Sequence, residues 1–243
     1  MAHSSKLLMR IETLYADEDI VIVNKPAGLL SAGDGINAAL PDVLEREFGP
    51  IWVVHRLDKE TSGAIAFART PEAHRELSLQ FELHHVQKHY HALVIGLPTW
   101  DNFTVNAPLR SDADRHHRTV IDEHGKPAIT HLRVLQRLRN TSQSYTLIEA
   151  QPETGRTHQI RVHLRAVGHP IVADALYGDG QPLLLSQLKR NYRATGDAAE
   201  RPLMGRVALH AYTLSIKHPA TEEDLTITAP YPKDFAASLK QLK

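Results

Sequence analysis

Two segments of alternating polarity, Ile129 to Leu138 and Tyr145 to Ala150, are joined across Arg139-Asn140-Thr141-Ser142-Gln143 in the middle of this chain. A connection that short returns a strand only as an antiparallel hairpin, because parallel pairing needs a crossover of a dozen or more residues. The other apolar stretches are also short. Ile11 to Asn24 reads as two strands broken at Asp17-Glu18-Asp19 and ended by Pro26-Ala27-Gly28, and Ala64 to Ala68 reads as a buried strand. Tyr90 to Ile95, a strand through Thr104-Val105-Asn106, and the pair Ala208 to Ile216 and Leu225 to Thr228 continue the pattern.

Helices are expected singly between these strands. Ile36 to Phe48 is closed by Gly49-Pro50, and Thr70-Pro71-Glu72 combines a capping hydroxyl, an initial proline and an acid for a helix running to about Leu83 or His84. Thr157 to Val167 places Ile160, Leu164 and Val167 on one face, with His158, Arg161 and Arg165 on another, and stops at Gly168. Asp234 to Leu242 is the last helix. Hairpins with single helices predict an α+β fold, a mixed and largely antiparallel sheet flanked by helices. With 243 residues, 42% of them apolar, one large core is within reach.

The chain has no cysteine, which excludes disulfides, thiolate nucleophiles and thiolate zinc sites. Its apolar runs are too short to span a bilayer, and its first residues lack the apolar stretch of a signal peptide, so a cytoplasmic protein without a membrane partner is expected. His85 and His89 are spaced for one helix face but lack an evident third ligand, and no glycine-rich phosphate loop follows a strand; neither metal nor cofactor is expected. Net charge is zero overall but uneven, at −5 over residues 1–103, +4 over 104–165 and +1 beyond. Bulk attraction to nucleic acid is thereby disfavoured, while a local basic patch and a solvated, salt-bridged face both fit the middle segment.

Asp58 is the residue with most chemical promise. It lies between basic neighbours in His55-Arg56-Leu57-Asp58-Lys59-Glu60-Thr61-Ser62-Gly63, directly after the apolar Ile51-Trp52-Val53-Val54. A carboxylate where a strand gives way to a turn can be held toward a substrate by a rigid element, or can cap the turn through Thr61 or Gly63. The nonapeptide resembles the catalytic motif of the RluA-type RNA pseudouridine synthases. Gly155-Arg156-Thr157-His158-Gln159-Ile160-Arg161-Val162-His163 resembles the arginine motif of the same family, in family order, and Lys88-His89-Tyr90 resembles its Lys-x-Tyr motif.

That resemblance covers roughly residues 11 to 230 and implies a bent sheet with an active cleft across its middle. It also implies isomerisation of uridine to pseudouridine in structured RNA, a stem-loop of ribosomal or transfer RNA. Asp58 is then the acid/base or nucleophilic group, Arg161 its ion-pair partner, and Tyr90 the aromatic residue against the target base. Arg56 resembles the arginine that fills the stack left by a flipped nucleotide, and Ile160 lines the uracil pocket or packs in the helix core. Arg165 is a phosphate contact or a solvated charge, and Lys25 supports the framework near the cleft.

Arg115 and Arg118, within the segment 110–126, are candidate RNA contacts or members of a solvated loop. An insert over 181–202 carries a short helical stretch, Leu183 to Tyr192, that suits either an RNA rim or a cover for the core. The first family-like element, Leu14-Tyr15-Ala16-Asp17-Glu18, begins too early for the S4 RNA-binding domain of many relatives. The expectation is one catalytic domain over 1–243, acting as a monomer. The alternative is a non-catalytic RNA-binding module that keeps the fold.

Overall fold

The computed structural model describes residues 11–33, 39–115, 118–139, 143–189, 192 and 200–243. The hairpin turn at 140–142, His116, His117, the start of the first expected helix and most of the insert's second half lie outside them. Strand β1 (Glu12–Ala16) pairs antiparallel with β2 (Ile20–Lys25). Asp17 makes the turn between them, its Oδ1 accepting the main-chain N–H groups of Asp19 and Ile20 at 2.9 Å each.

Helix α1 (Leu40–Phe48) starts later than Ile36, because Ala39 is extended and its N–H donates to the Asp42 carboxylate at 2.8 Å. Strands β3 (Trp52–Val53) and β4 (Ser62–Ala68) flank the loop that carries Asp58. Every residue of β4 is buried, so it is a central strand covered on both faces. Thr70 caps α2 (Pro71–Glu82), its hydroxyl accepting the Ala73 N–H at 3.1 Å.

Strand β5 (Gln87–Ile95) begins three residues before the expected Tyr90, since β11 (Leu209–Lys217) supplies partners as far as Gln87. His89 is consequently a strand residue and shares no helix face with His85. Strands β6 (Asn102–Asn106), β9 (Ile129–Arg139) and β10 (Ser144–Pro152) follow, with β9 and β10 forming the expected antiparallel pair. Between β6 and β9 the chain makes a separate two-stranded arm from β7 (Leu109–Arg110) and β8 (Val120–Ile121). Helix α3 (Gln159–Ala166), the single turn α4 (Leu185–Leu188), β12 (Asp224–Thr228) and α5 (Lys233–Leu242) complete the elements.

Ten strands form one sheet in the order β1-β2-β4-β11-β5-β10-β9-β6, with β12 on β11 and β3 on β4. Register irregularities in β1–β2, β5–β11 and β9–β10 bend it. All its pairings are antiparallel except β4–β11, which is parallel over Ser62–His210 and Gly63–Ala211. This is the mixed, largely antiparallel α+β architecture expected from the hairpins.

Gly63 makes the parallel step possible. Its φ is +119°, and a Cβ there would fall 2.2 Å from the Ala211 carbonyl oxygen, so only glycine allows the two backbones to meet. Apolar clusters lie to either side of this seam, one under α3 and α5 and another under α1, and Tyr90 packs against both. In the described part of the insert, Leu183 is buried and Leu188 packs on the larger cluster, so this portion covers core.

Candidate active site

The loop from Leu57 to Glu60 is held by its own carbonyls. The Leu57 carbonyl accepts the Ser31 hydroxyl at 2.8 Å, while the Leu57 N–H donates back to the same oxygen at 3.0 Å. Asp58's carbonyl accepts the Thr61 N–H at 3.0 Å. The Lys59 carbonyl takes the Gly28 N–H at 2.8 Å and the Lys25 ammonium at 3.0 Å, and the Glu60 carbonyl takes Arg206 Nη1 at 3.1 Å. Four consecutive carbonyls are thus occupied, and the loop presents the Asp58 side chain from a fixed frame.

Lys25 is fully buried, and its ammonium also donates to the carbonyls of Pro26 at 3.1 Å and Leu29 at 2.8 Å. Burial pushes its pKa down to about 8, against the favourable charges of Glu60 and Asp58. His55 accepts the Ala66 N–H through Nε2 at 3.0 Å and stacks on Phe81, so it stitches the loop to β4. Burial lowers its pKa to about 3, which keeps it the neutral acceptor that this bond requires.

Asp58 does not cap its turn with its side chain. Its Oδ2 lies 3.3 Å from Arg161 Nη1, across 103 residues of sequence, and 3.8 Å from His158 Nε2. Arg161 is held from behind by a residue that sequence reasoning did not single out: Nε and Nη2 donate to the two oxygens of the buried Asp174 at 2.8 and 2.9 Å. Burial alone pushes the Arg161 pKa down, yet hydrogen bonds and charge from Asp174, joined by Asp58, raise it overall. Its guanidinium also sits 5.0 Å from the centre of the Tyr177 ring.

Helix α3 begins at Gln159 because His158 is left-handed, with φ of +55°. Gln159 anchors that first turn. Its Oε1 accepts Thr154 Oγ1 at 2.7 Å and the Arg156 N–H at 3.0 Å, and its Nε2 donates to the Ile129 carbonyl at 2.9 Å and Thr130 Oγ1 at 3.0 Å. Buried His163 bonds Thr130 Oγ1 at 2.8 Å and the Ala107 carbonyl at 3.1 Å, tying α3 to the strands beneath. The motif around Arg161 is therefore mostly framework, with Arg161 aimed at the neighbouring loop.

A cleft of about 1020 Å³ contains Arg56, Asp58, Tyr90, His158, Ile160 and Arg161 in its walls. Six of the residues selected or flagged from sequence thus share one cavity. Burial and the Asp58 charge raise the Tyr90 pKa, so its phenol stays protonated. Arg56 is exposed at the cleft, and Ile160 is buried between it and the core.

The other three arginines lie elsewhere. Arg118 and Arg165 line a second hollow with Val162 and Tyr177, so Arg165 does not share the Arg161 cleft as the helical face predicted. Arg115 is exposed. The segment 110–126 carries Asp112, Asp114, Asp122 and Glu123 beside its four cations, and the structure pairs Arg118 with Asp114 and Arg110 with Asp122 at 2.6 Å each. The segment is thus balanced in charge, four cations against four acids.

Among the described residues, one group of acids and histidine is close enough to suggest a metal, Asp17, Asp19 and His218. Asp17 Oδ2 already receives the Tyr15 hydroxyl and His218 Nε2, each at 2.7 Å, and Oδ1 receives two N–H groups. Both Asp17 oxygens are thus engaged in hydrogen bonds, and none of the three residues lines the cleft. No described helix is long and apolar enough to cross a membrane.

Residues 19–166 match the family described as RNA pseudouridylate synthase. The chain belongs to that family. It is 37% identical over 241 residues to the ribosomal large subunit pseudouridine synthase D of Nitrosomonas europaea, covering 96% of this chain and 65% of that protein. It is likewise 37% identical over 225 residues to the dual-specificity RNA pseudouridine synthase RluA of Pasteurella multocida, covering 90% of this chain and 93% of the relative. This chain spans less than two thirds of the length of several curated relatives that it matches, 65% and 62% in two cases. A solved structure titled human RNA pseudouridylate synthase domain containing 1 superposes with a TM-score of 0.72 at 28% identity, covering 96% of this chain and 87% of that one. The mixed, largely antiparallel bent sheet flanked by helices is thus the pseudouridylate synthase fold.

Proposed function

We propose that this chain is an RluA-type enzyme that isomerises uridine to pseudouridine in ribosomal or transfer RNA, with Asp58 as its reacting group. The observation that carries this reading is the Asp58 carboxylate on a loop with four occupied carbonyls, facing an arginine that Asp174 holds in place. Isomerisation breaks the N1–C1′ bond, turns the base and joins C5 to C1′. The C5 proton is lost and N1, released from C1′, gains one, so the balance needs no oxidant, metal or organic cofactor. Asp58 attacks an electrophilic carbon or removes a sugar proton, and Arg161 steadies its charge while the ring is detached.

A uracil must leave its stack to enter such a cleft. Tyr90 and Ile160 supply an aromatic face and an apolar wall for it, and Arg56, exposed at the cleft, fills the gap in the RNA. Arg115, Arg118 and Arg165 serve as phosphate contacts on the arm and on α3. The reading takes structured RNA as the partner of a cytoplasmic monomer folded as one catalytic domain.

Site-resolved pseudouridine mapping of ribosomal and transfer RNA, from cells with and without the protein, tests the proposal. A uridine that is modified only when the chain is present, and not when Asp58→Asn replaces it, supports the assignment. Identical maps under all three conditions overturn it in favour of a binding module.

A further inference from the structure

The two contacts to the Asp58 side chain converge on one oxygen, Oδ2, where Arg161 Nη1 lies at 3.3 Å and His158 Nε2 at 3.8 Å. Among the described residues, no hydrogen-bond donor serves Oδ1. The other nitrogen of His158, Nδ1, lies 2.9 Å from the Tyr177 hydroxyl. That hydroxyl accepts the Thr119 N–H from the arm at 2.8 Å. We propose that Tyr177 and His158 form a positioning relay for Asp58, holding Oδ2 and leaving Oδ1 as the oxygen that reacts.

The relay depends on which ring nitrogen of His158 carries the proton. The Tyr177 oxygen, which accepts the Thr119 N–H, has its own proton to offer Nδ1, and Nδ1 accepts it when the ring hydrogen sits on Nε2. A hydrogen on Nε2 also places a donor toward the Asp58 carboxylate, whereas an Nε2 lone pair there would face negative charge. The Nε2–H tautomer is thus the one that satisfies both ends of the ring. Burial of His158 lowers its pKa and opposes the pull of Asp58, so the ring is neutral and a tautomer is well defined. The left-handed backbone at His158 is what turns the ring into the cleft from the start of α3.

Tyr177 serves two members of the site at once, because its ring face also receives the Arg161 guanidinium. Tyr177→Phe keeps that face and removes only the hydroxyl. The structure thus separates the relay from the support of Arg161.

The inference rests on the isomerase reading, but its first test does not. In ¹⁵N spectra of histidine-labelled protein, with the His158 signal assigned by its loss in His158→Gln, wild type should show the Nε2–H tautomer. Tyr177→Phe should show a tautomer mixture. An Nδ1–H ring in wild type, which needs no variant to observe, overturns the relay, as does an unchanged ring in Tyr177→Phe. In single-turnover assays on the mapped RNA, Tyr177→Phe should lose about tenfold in rate with unchanged RNA affinity. His158→Gln, which retains a side-chain donor, should be faster than His158→Ala, and adding Tyr177→Phe to His158→Ala should cost nothing more. Multiplicative losses, or a full rate in Tyr177→Phe, overturn it. If wild type forms no pseudouridine, the isomerase reading fails while the spectra still decide the relay.

Discussion

Arg161 reaches Asp58 with one nitrogen because Asp174 holds the other two. The pair formed by Arg161 and Asp174 is bidentate, at 2.8 and 2.9 Å, and its side chains are only 6% and 0% exposed. A lysine offers one point charge and cannot make this fork while also facing Asp58.

Replacing Asp174 by Asn removes the countercharge but keeps the shape. The buried guanidinium is then left with only the more distant Asp58, a defect that costs roughly 3 kcal/mol or more when one member of a buried pair is lost. Asp174→Asn should therefore lower the urea midpoint and slow turnover by at least about tenfold, as Asp58 is drawn into the vacated role. Wild-type stability and rate together would show that the fork is dispensable.

Asp58→Asn should behave in the opposite way. Its side chain is 28% exposed and its loop is fixed through main-chain atoms, so the fold and RNA affinity should survive. Pseudouridine formation should fall below detection, because an amide supplies neither a nucleophile nor a base. The measurement is single-turnover product formation beside a binding isotherm, and turnover within a few fold of wild type removes Asp58 from the mechanism.

What could be read in the sequence and what could not divides along lines of locality. Asp58, Tyr90 and Arg161 each stand in a contiguous motif, and β9–β10, α2 and the Asp17 turn follow from neighbouring residues alone. Asp174 is 13 residues beyond Arg161 and belongs to no periodic face, and its partnership exists only once α3 turns back at Gly168. Ser31 and Arg206 reach the Asp58 loop over 26 and 146 residues, which no local pattern reports. A signal was present for Asp174, an acid placed among apolar residues in Ile171-Val172-Ala173-Asp174-Ala175-Leu176, where a buried charge requires a partner. The ion pairs of the arm, Arg110 with Asp122 and Arg118 with Asp114, follow from acids interleaved with the cations of 110–126.

Gly63→Ala tests the seam under the active loop. A methyl group 2.2 Å from the Ala211 carbonyl, at a φ of +119°, forces β4 and β11 apart where they run parallel. The expected loss is about 3 kcal/mol or more of folding free energy, measured by chemical denaturation. Little or no loss would mean that β4 and β11 do not meet at this residue.

Lys25 supplies a pH signature of the framework. Its folded pKa of about 8 lies below the usual 10.5, so the folded chain releases this proton more readily than the unfolded one. Below pH 8 both states are protonated and the cost of burying the charge is fully present. Between about 8 and 10.5 the unfolded state binds more protons, and stability attributable to Lys25 rises with pH. Subtracting the pH–stability curve of Lys25→Met from that of wild type should expose this rise, and a flat or falling difference across the window contradicts the buried ammonium.

Tyr90→Phe isolates the hydroxyl in the same way that Tyr177→Phe does, but inside the cleft. Burial and the Asp58 charge keep the phenol protonated, so if Tyr90 takes the C5 proton, made acidic once C5 has joined C1′, its hydroxyl proton must pass at the same time to the neighbouring Asp58 carboxylate. The ring that packs against both apolar clusters is unchanged in the variant, and RNA binding and uridine flipping should persist. Rapid-quench sampling should then find a rearranged nucleotide still carrying its C5 hydrogen, with final product slowed by about 100-fold or more. Because no phenolate forms near neutrality, the wild-type rate should also show no rise in alkali that Tyr90→Phe abolishes. Product release near the wild-type rate assigns the proton to another base and leaves Tyr90 as the aromatic face of the uracil pocket.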